Sequence, residues 1–396
     1  MSRLNSLERP VGDWKKVRYD YYRTALEVFI DRWHKPLAAY CEKYDLEYTG
    51  HDWEHGWPGA SHCPDNMATA FWRQRPTIDL LMNTYSRGTN AQFGNVRSGR
   101  ELISAARQAG RSRTLSENYG AGGYDLRFED MKRLGDWSYA VGVNMTDEHL
   151  SYVSIRGARK HDHPQTFSYH SDWFEQYGKM ATYWKRLSYL LSRGDLTNER
   201  FLLLEPTTTA WFYQRDAGAE NGKLGKIGND FANLLNRLEA SQVDYDLGSE
   251  DIIQRVGKID GKTFCVGFAG YETVVLPPNL ENLNAETLEL LATFVTNGGR
   301  LISLDAPLER IDGSLVADLP QDLRDKFATV AAKTVKLDYD ALVAEARAAE
   351  PLAVIPKTNA DNIFHLTRET DDALILFLCN IDMNAAATGT LELSDP

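Results

Sequence analysis

Two short segments gather carboxylates, imidazoles and large aromatic rings into a small space. The first is His51-Asp52-Trp53-Glu54-His55-Gly56-Trp57. The second is Leu115-Ser116-Glu117-Asn118-Tyr119-Gly120, where an apolar run ends in a carboxylate and passes into glycines. Cleaving a glycosidic bond needs two carboxyls: one protonates the leaving oxygen, and the other activates water or attacks the anomeric carbon. Rings and hydrogen-bonding side chains then hold the sugar. Glu54 and Glu117 are the candidate pair, with His51, Asp52, Trp53, His55, Trp57, Asn118 and Tyr119 as candidate sugar contacts. An acid among large aromatics also tends toward a raised pKa, as a general acid requires. Their separation would decide the stereochemistry, retention at roughly 5–5.5 Å and inversion at roughly 6.5–9.5 Å. A third, looser group follows: His149, then Arg156, Arg159, Lys160, His161, His163, Tyr169 and His170. A His- and Arg-rich loop suits a substrate cover, and His149, His163 and His170 join the candidate contacts. The plainer readings are tryptophans packed on a rim, a turn with a structural glutamate, and a solvated charged loop. His, Asp and Glu are also metal ligands, but the spacing is not HExxH, so no metal-ligating residues are assigned.

These residues need elements to hold them. Tyr19 to Lys43 carries apolar residues at three- and four-residue spacing, which predicts a helix with a kink or a new start at Pro36. Strands are expected at Leu46–Thr49, Ile78–Met82, Ser112–Ser116 and Gly142–Met145. Helices are expected at Gly99–Ala109, Leu126–Ala140 and Trp173–Arg193. Alternating strands and helices mean a parallel sheet with helical crossovers. Functional residues at strand ends fit the C-terminal face of a (β/α)8 barrel, which needs eight units where four are visible. The expected fold class is therefore α/β, with residues 1–198 as the C-terminal part of a TIM barrel. A small open α/β sheet is the alternative. Residues 199–310 alternate again, with strands at Phe201–Leu204, Asp244–Leu247, Thr273–Leu276 and Arg300–Leu304, and read as a flavodoxin-like, class I glutamine amidotransferase-like domain. An amidotransferase nucleophile would need a cysteine on a tight elbow. Cys265 lies inside a strand-like run and reads as a core cysteine, so the domain is expected to be non-catalytic. Residues 311–396 read as a helical segment and the opening strands of a β-sandwich.

Bulk properties narrow the classes. The 396 residues carry a net charge of -12, which disfavours nucleic acid and anionic membranes and suits a neutral substrate. The four cysteines are scattered without a CxxC pair, signalling neither a disulfide framework nor a zinc site. No run of about 18 apolar residues predicts a membrane span, and Met1–Trp14 lacks the apolar core of a signal peptide. The chain reads as a fragment of a longer protein, periplasmic or secreted if a leader precedes it and otherwise cytoplasmic. Half a barrel would expose sheet edges and should aggregate or need a partner.

Several stretches carry a resemblance: Arg18–Thr24, Thr49–Pro58, Ala91–Arg97, Leu115–Gly120 and Gly157–Lys160. On them the chain resembles the large bacterial α-L-rhamnosidase-like glycoside hydrolases near glycoside hydrolase family 106, over roughly residues 15–305. The resemblance implies a catalytic (β/α)8 barrel, a flavodoxin-like domain after it and β-sandwiches around both. It implies hydrolysis of polysaccharide side chains without a cofactor, and some relatives bind calcium near the substrate. The expected partner is a carbohydrate. The alternatives are a carbohydrate-binding protein without a working acid–base pair, and an amidotransferase- or peptidase-like hydrolase centred on residues 200–306.

Overall fold

The computed structural model describes residues 12–161, 163, 165–196, 200–214, 222–349 and 352–393. The expected N-terminal helix forms in two pieces, α1 (Trp14–Phe29) and α2 (Lys35–Lys43), joined by a π turn at Ile30–His34. Pro36 explains the joint. It has no N–H for the carbonyl one turn back, and its ring crowds that carbonyl, so the helix loosens just before it.

Next come β1 (Thr49–Gly50), α3 (Asn66–Phe71), β2 (Arg75–Leu80), α4 (Val96–Gln108), β3 (Leu115–Asn118), α5 (Phe128–Ala140), β4 (Met145–Glu148) and α6 (Tyr177–Leu191). The four strands pair in sequence order and all are parallel. Register places Asp79, Glu117 and Asp147 side by side, with Leu80, Asn118 and Glu148 one residue further on. Side chains alternate across a sheet, so Asp79 and Glu117 share one face. Ser116 and Asn118 turn to the other and are wholly buried.

The remaining chain supplies β5 (Asp195–Leu196), β6 (Phe201–Leu204), α7 (Thr207–Phe212), α8 (Lys223–Ala240), β7 (Tyr245–Gly248), α9 (Glu250–Val256), β8 (Gly257–Asp260), β9 (Thr263–Val266), β10 (Ala269–Tyr271), β11 (Thr273–Leu276), β12 (Asn282–Leu283), α10 (Ala285–Thr296) and β13 (Arg300–Ser303). After them come β14 (Arg310–Ile311), β15 (Ser314–Leu315), α11 (Gln321–Lys333), β16 (Val335–Lys336), α12 (Tyr339–Ala349), β17 (Leu352–Thr358), β18 (Ile363–Glu369), β19 (Leu374–Asn380) and β20 (Thr388–Leu393). The second large sheet runs β16-β13-β11-β6-β7, all parallel. Counting its strands along the chain gives the order 2-1-3-4-5 of doubly wound sheets. Its outer strand β16 comes from the stretch read as helical. Cys265 does not lie in this sheet's core. It sits half-exposed in β9, within the antiparallel trio β10-β9-β8.

The opening strands of a sandwich take a different form. Hairpin β18–β19 pairs with β5 and lies against α5, where Phe364 meets Trp137 with ring centroids 6.2 Å apart. A helix, not a second sheet, covers the apolar face of this hairpin.

Helix α4 lies between the two large sheets. Its Arg100, wholly buried, grips Glu239 of α8 with two bonds of 2.7 and 2.8 Å. Gln108 reaches the carbonyl of Leu247 at 2.9 Å. Gly99 lets the helix approach closely, since a Cβ there would stand 2.5 Å from Val141. At the N-terminus, α1 docks on the second unit: Tyr19 bonds Asn284 and Asp312, both at 2.7 Å, and Lys15 pairs with Glu281 at 2.8 Å.

Candidate active site

The C-terminal ends of β1 to β4 bring together five of the expected residues. His51, just past β1, stands between two carboxyls. Its Nε2 lies 3.3 Å from Glu117 Oε2 and its Nδ1 3.8 Å from Glu54 Oε2. One imidazole and two contacts hold those carboxyls no farther apart than roughly 9.5 Å, the upper end for an acid–base pair. On the other side of Glu117, the Nε2 of His149 stands 3.6 Å from Oε1. The Gln165 amide donates to His149 Nδ1 at 3.0 Å. Neutral His149 therefore carries its hydrogen on Nε2, turned toward Glu117. His163 stacks on His149, 5.0 Å between centroids and 15° from parallel. Gly120 makes room, since a Cβ there would reach within 2.9 Å of the His149 ring.

Glu117 is the accessible member, its side chain 32% exposed. Glu54 is not, at 5%. One oxygen of Glu54 accepts the backbone N–H of Asp79, and Arg97 holds its carbonyl. Burial pushes the carboxyl well above the usual range, against the pull of the Asp79 N–H bond. Glu54, expected as one of the catalytic pair, is thus buried beside His51. One of its oxygens is committed to the Asp79 N–H, and the other faces His51.

The other candidates divide. His55 is half-buried, and burial, with Arg97 next, lowers its pKa. Trp53 is 57% exposed and stacks on His62 at 5.4 Å. Asp52 is tied down: Thr69 and Arg73 each donate to it at 2.6 Å. Burial raises its pKa, and the Arg73 charge overcomes that and holds it low. Trp57 is buried against Phe231 and donates to Thr207 at 3.1 Å, joining the two units and leaving no ring for a sugar. Asn118 and Tyr119 are fully buried. Ser116 donates to Asn118 Oδ1 at 2.5 Å, and the Tyr119 hydroxyl gives its hydrogen to the Met131 carbonyl at 3.1 Å. His170 bonds Ser168 and stacks on Tyr169 inside its own loop. Asp52, Trp57 and Tyr119 are thus engaged by protein partners and Asn118 is buried, so packing draws these four expected sugar contacts into the protein interior.

One carboxylate was missed. Asp79, in β2 beside Glu117, shares its face, and Gln92 donates to its Oδ2 at 3.3 Å. Burial, countered by His51 and reinforced by the Glu117 charge, pushes it up to about 6. The signal was an acid set between Ile78 and Leu80 in an apolar strand, where a core side chain would be expected. Among the described residues no group of three or more His, Cys, Asp or Glu is arranged to hold a metal ion. Among those residues no helix is long and apolar enough to cross a membrane.

A family model described as alpha-L-rhamnosidase, glycoside hydrolase family 106, matches residues 13–390. No curated protein matches the chain. Among solved structures, a rhamnosidase from Novosphingobium sp. PP1Y is similar at a TM-score of 0.68 and 18% identity, over 91% of this chain and 34% of that one. A cold-adapted β-galactosidase from Rahnella sp. R3 is similar at 0.52 and 13%, over 95% of this chain and 52% of that one. The chain thus spans about a third to a half of those structures. At such identities the likeness shows a mixed α/β fold shared with glycosidases.

Proposed function

Starting from a chain that belongs to the α-L-rhamnosidase family, glycoside hydrolase family 106, we propose a glycoside hydrolase acting on terminal α-L-rhamnosyl groups through Glu117. The observation that carries this reading is one carboxylate left open at a strand end and flanked by two imidazoles, His51 at 3.3 Å and His149 at 3.6 Å. Hydrolysis transfers one proton to the leaving oxygen and removes one from water. A partly exposed carboxyl with fixed neighbours suits either transfer. Glu54, locked below His51, acts as a positioning residue that holds the imidazole against Glu117.

In this reading residues 1–198 carry the C-terminal part of a (β/α)8 barrel. Four parallel strands in sequence order, with the polar cluster at their C-terminal ends, support it. Residues 199–310 form a flavodoxin-like, amidotransferase-like unit without catalytic work, whose role is to hold α4 and the Trp57 turn. Residues 311–396 complete and flank that unit.

The test is hydrolysis of an aryl α-L-rhamnoside by the intact protein. Glu117→Gln should lower kcat about 10³-fold with an unchanged melting temperature. Glu54→Gln, which preserves the acceptor for the Asp79 N–H, should stay within about tenfold of wild type. Near-wild-type turnover by Glu117→Gln would remove Glu117 from the mechanism. Equal collapse of both variants would return Glu54 to the working pair.

A further inference from the structure

We propose that Arg97 and Gln214 are positioning residues that clamp the turn after β1 and so hold His51 against Glu117. The inference rests on the glycosidase reading and deepens it, because it names residues outside the pocket that fix its geometry. Strand β1 is only two residues long and pairs with β2 at Thr49 and Gly50. So short a strand gives little hold on His51, the residue that follows it. The hold has to come from the turn beyond.

That turn runs from Glu54 to Ala60 and opens with a 3-10 helix at Glu54–Gly56. On its inner side the Glu54 carboxyl lies 3.8 Å from one ring nitrogen of His51, and the other lies 3.3 Å from Glu117. On its outer side, groups distant in the chain grip it. Arg97 of α4 is buried, and its guanidinium makes three contacts. One Nη donates to the Glu54 carbonyl, the other donates to Glu101 one turn along α4, and Cζ lies 4.9 Å from the centre of the Trp57 ring. A flat guanidinium can do all three at once, and a lysine ammonium cannot.

Gln214, just past α7, is buried as well. Its amide donates to the Pro58 carbonyl at 2.6 Å, and its Oε1 accepts the Ala60 N–H at 2.8 Å. A further bond to the Ala210 carbonyl at 3.0 Å ties the same side chain to α7. Helix α8 closes the clamp: a Cβ at Gly228 would stand 2.7 Å from the Pro58 ring. The turn is thus held at Glu54, Trp57, Pro58 and Ala60 by α4, α7 and α8. A misplacement of about 1 Å can cost about 10²-fold in rate. Releasing the clamp frees His51 to move from Glu117. Turnover then falls, while contacts made equally in ground and transition state, and with them KM, change little.

The experiment follows hydrolysis of an aryl α-L-rhamnoside by the intact protein, with the melting temperature measured alongside. Gln214→Leu removes both grips on the backbone. Arg97→Lys keeps a cation beside Glu101, and so the folded state, but gives up the flat contact with Trp57 and the Glu54 carbonyl together. Each should lower kcat at least about tenfold with KM within about twofold of wild type, and either one decides the question if the other fails to fold. Arg100→Leu is the control, since it breaks a buried ion pair on the same helix with no contact to the turn. It should lose stability yet keep kcat within about twofold well below its melting temperature. If Arg100→Leu loses kcat as much as the clamp variants, the loss reports stability alone and the positioning role is overturned. If the clamp variants keep wild-type kcat while Glu117→Gln is inactive, the proposal is overturned and the glycosidase reading stands. A rise in KM with kcat unchanged would make the turn a sugar-binding element and overturn the proposal as well. If wild type does not cleave the glycoside, the glycosidase reading fails and this inference falls with it.

Discussion

His51 touches two carboxyls at once, and that contact separates the residues of the site into working and supporting groups. Glu117 keeps one face toward solvent, while Glu54 spends its oxygens on a backbone N–H and the imidazole. Residue type and strand-end position brought both to notice. Burial, which divides them, depends on the neighbours. A related buried acid lies just below. Asp65 caps α3 through the N–H of Ala68 at 2.9 Å and accepts from Ser249 at 2.7 Å. Burial dominates there and pushes it up to about 7. Its ordinary value is about 4, so the folded state holds the proton more tightly than the unfolded state. The stability it contributes is therefore full below about pH 4 and is lost as pH rises toward 7. Asparagine caps equally well. Asp65→Asn should thus lose less stability than wild type between pH 5 and pH 8, by on the order of a few kcal/mol in urea unfolding. Parallel pH profiles for the two proteins would contradict this placement of Asp65.

Helix α4 shows how an element can carry its message in charged residues. Its pattern reads as a helix, but Arg97, Arg100 and Glu101 look like a solvated face and are all buried. Arg100 spans to Glu239 and lies 3.9 Å from Asp244, so the ion pair ties α4 to α8. Removing one member leaves a buried charge without compensation, at a cost of about 3–5 kcal/mol. Arg100→Leu should show that loss in urea unfolding, and adding Glu239→Leu should restore part of it. A loss below about 1 kcal/mol would mean that water reaches the pair. Of the trio β8-β9-β10, the run around Cys265 was legible, since Phe264 and Val266 alternate with half-exposed neighbours. Its partners β8 and β10 are short and each contains a glycine, so they stand out less along the chain.

At the scale of the whole molecule, the first sheet ends in two strands with a single neighbour each, β1 and β4. Beyond β1, the surface of α1, α2 and the following turn exposes Trp33, Tyr40, Tyr44 and Leu46, each more than half open. Unpaired edges beside apolar side chains invite association. Light scattering at micromolar concentration should show self-association that persists at high salt, since burial of apolar surface drives it. A monodisperse monomer would mean that these edges are protected in solution. The rest of the molecule is bound together by one continuous core that runs through both large sheets.

Sequence by itself determined the alternation of strands and helices, the two parallel sheets implied by it, and the two segments where chemistry concentrates. Hydrophobic period and turn residues act over short distances, so they are legible along the chain. Pro36 fixed a joint in the first helix in the same local way. Only the tertiary structure decided which polar residues are left to act. Asp79, hidden in an apolar strand, gained its meaning from register with Glu117, a relation between strands distant in the chain. Trp57, Asn118, Tyr119 and Asp52 lost theirs because Thr207, Ser116, Met131 and Arg73 fold onto them. Burial and partnership are properties of neighbours, and a side chain acquires its neighbours only when the chain packs.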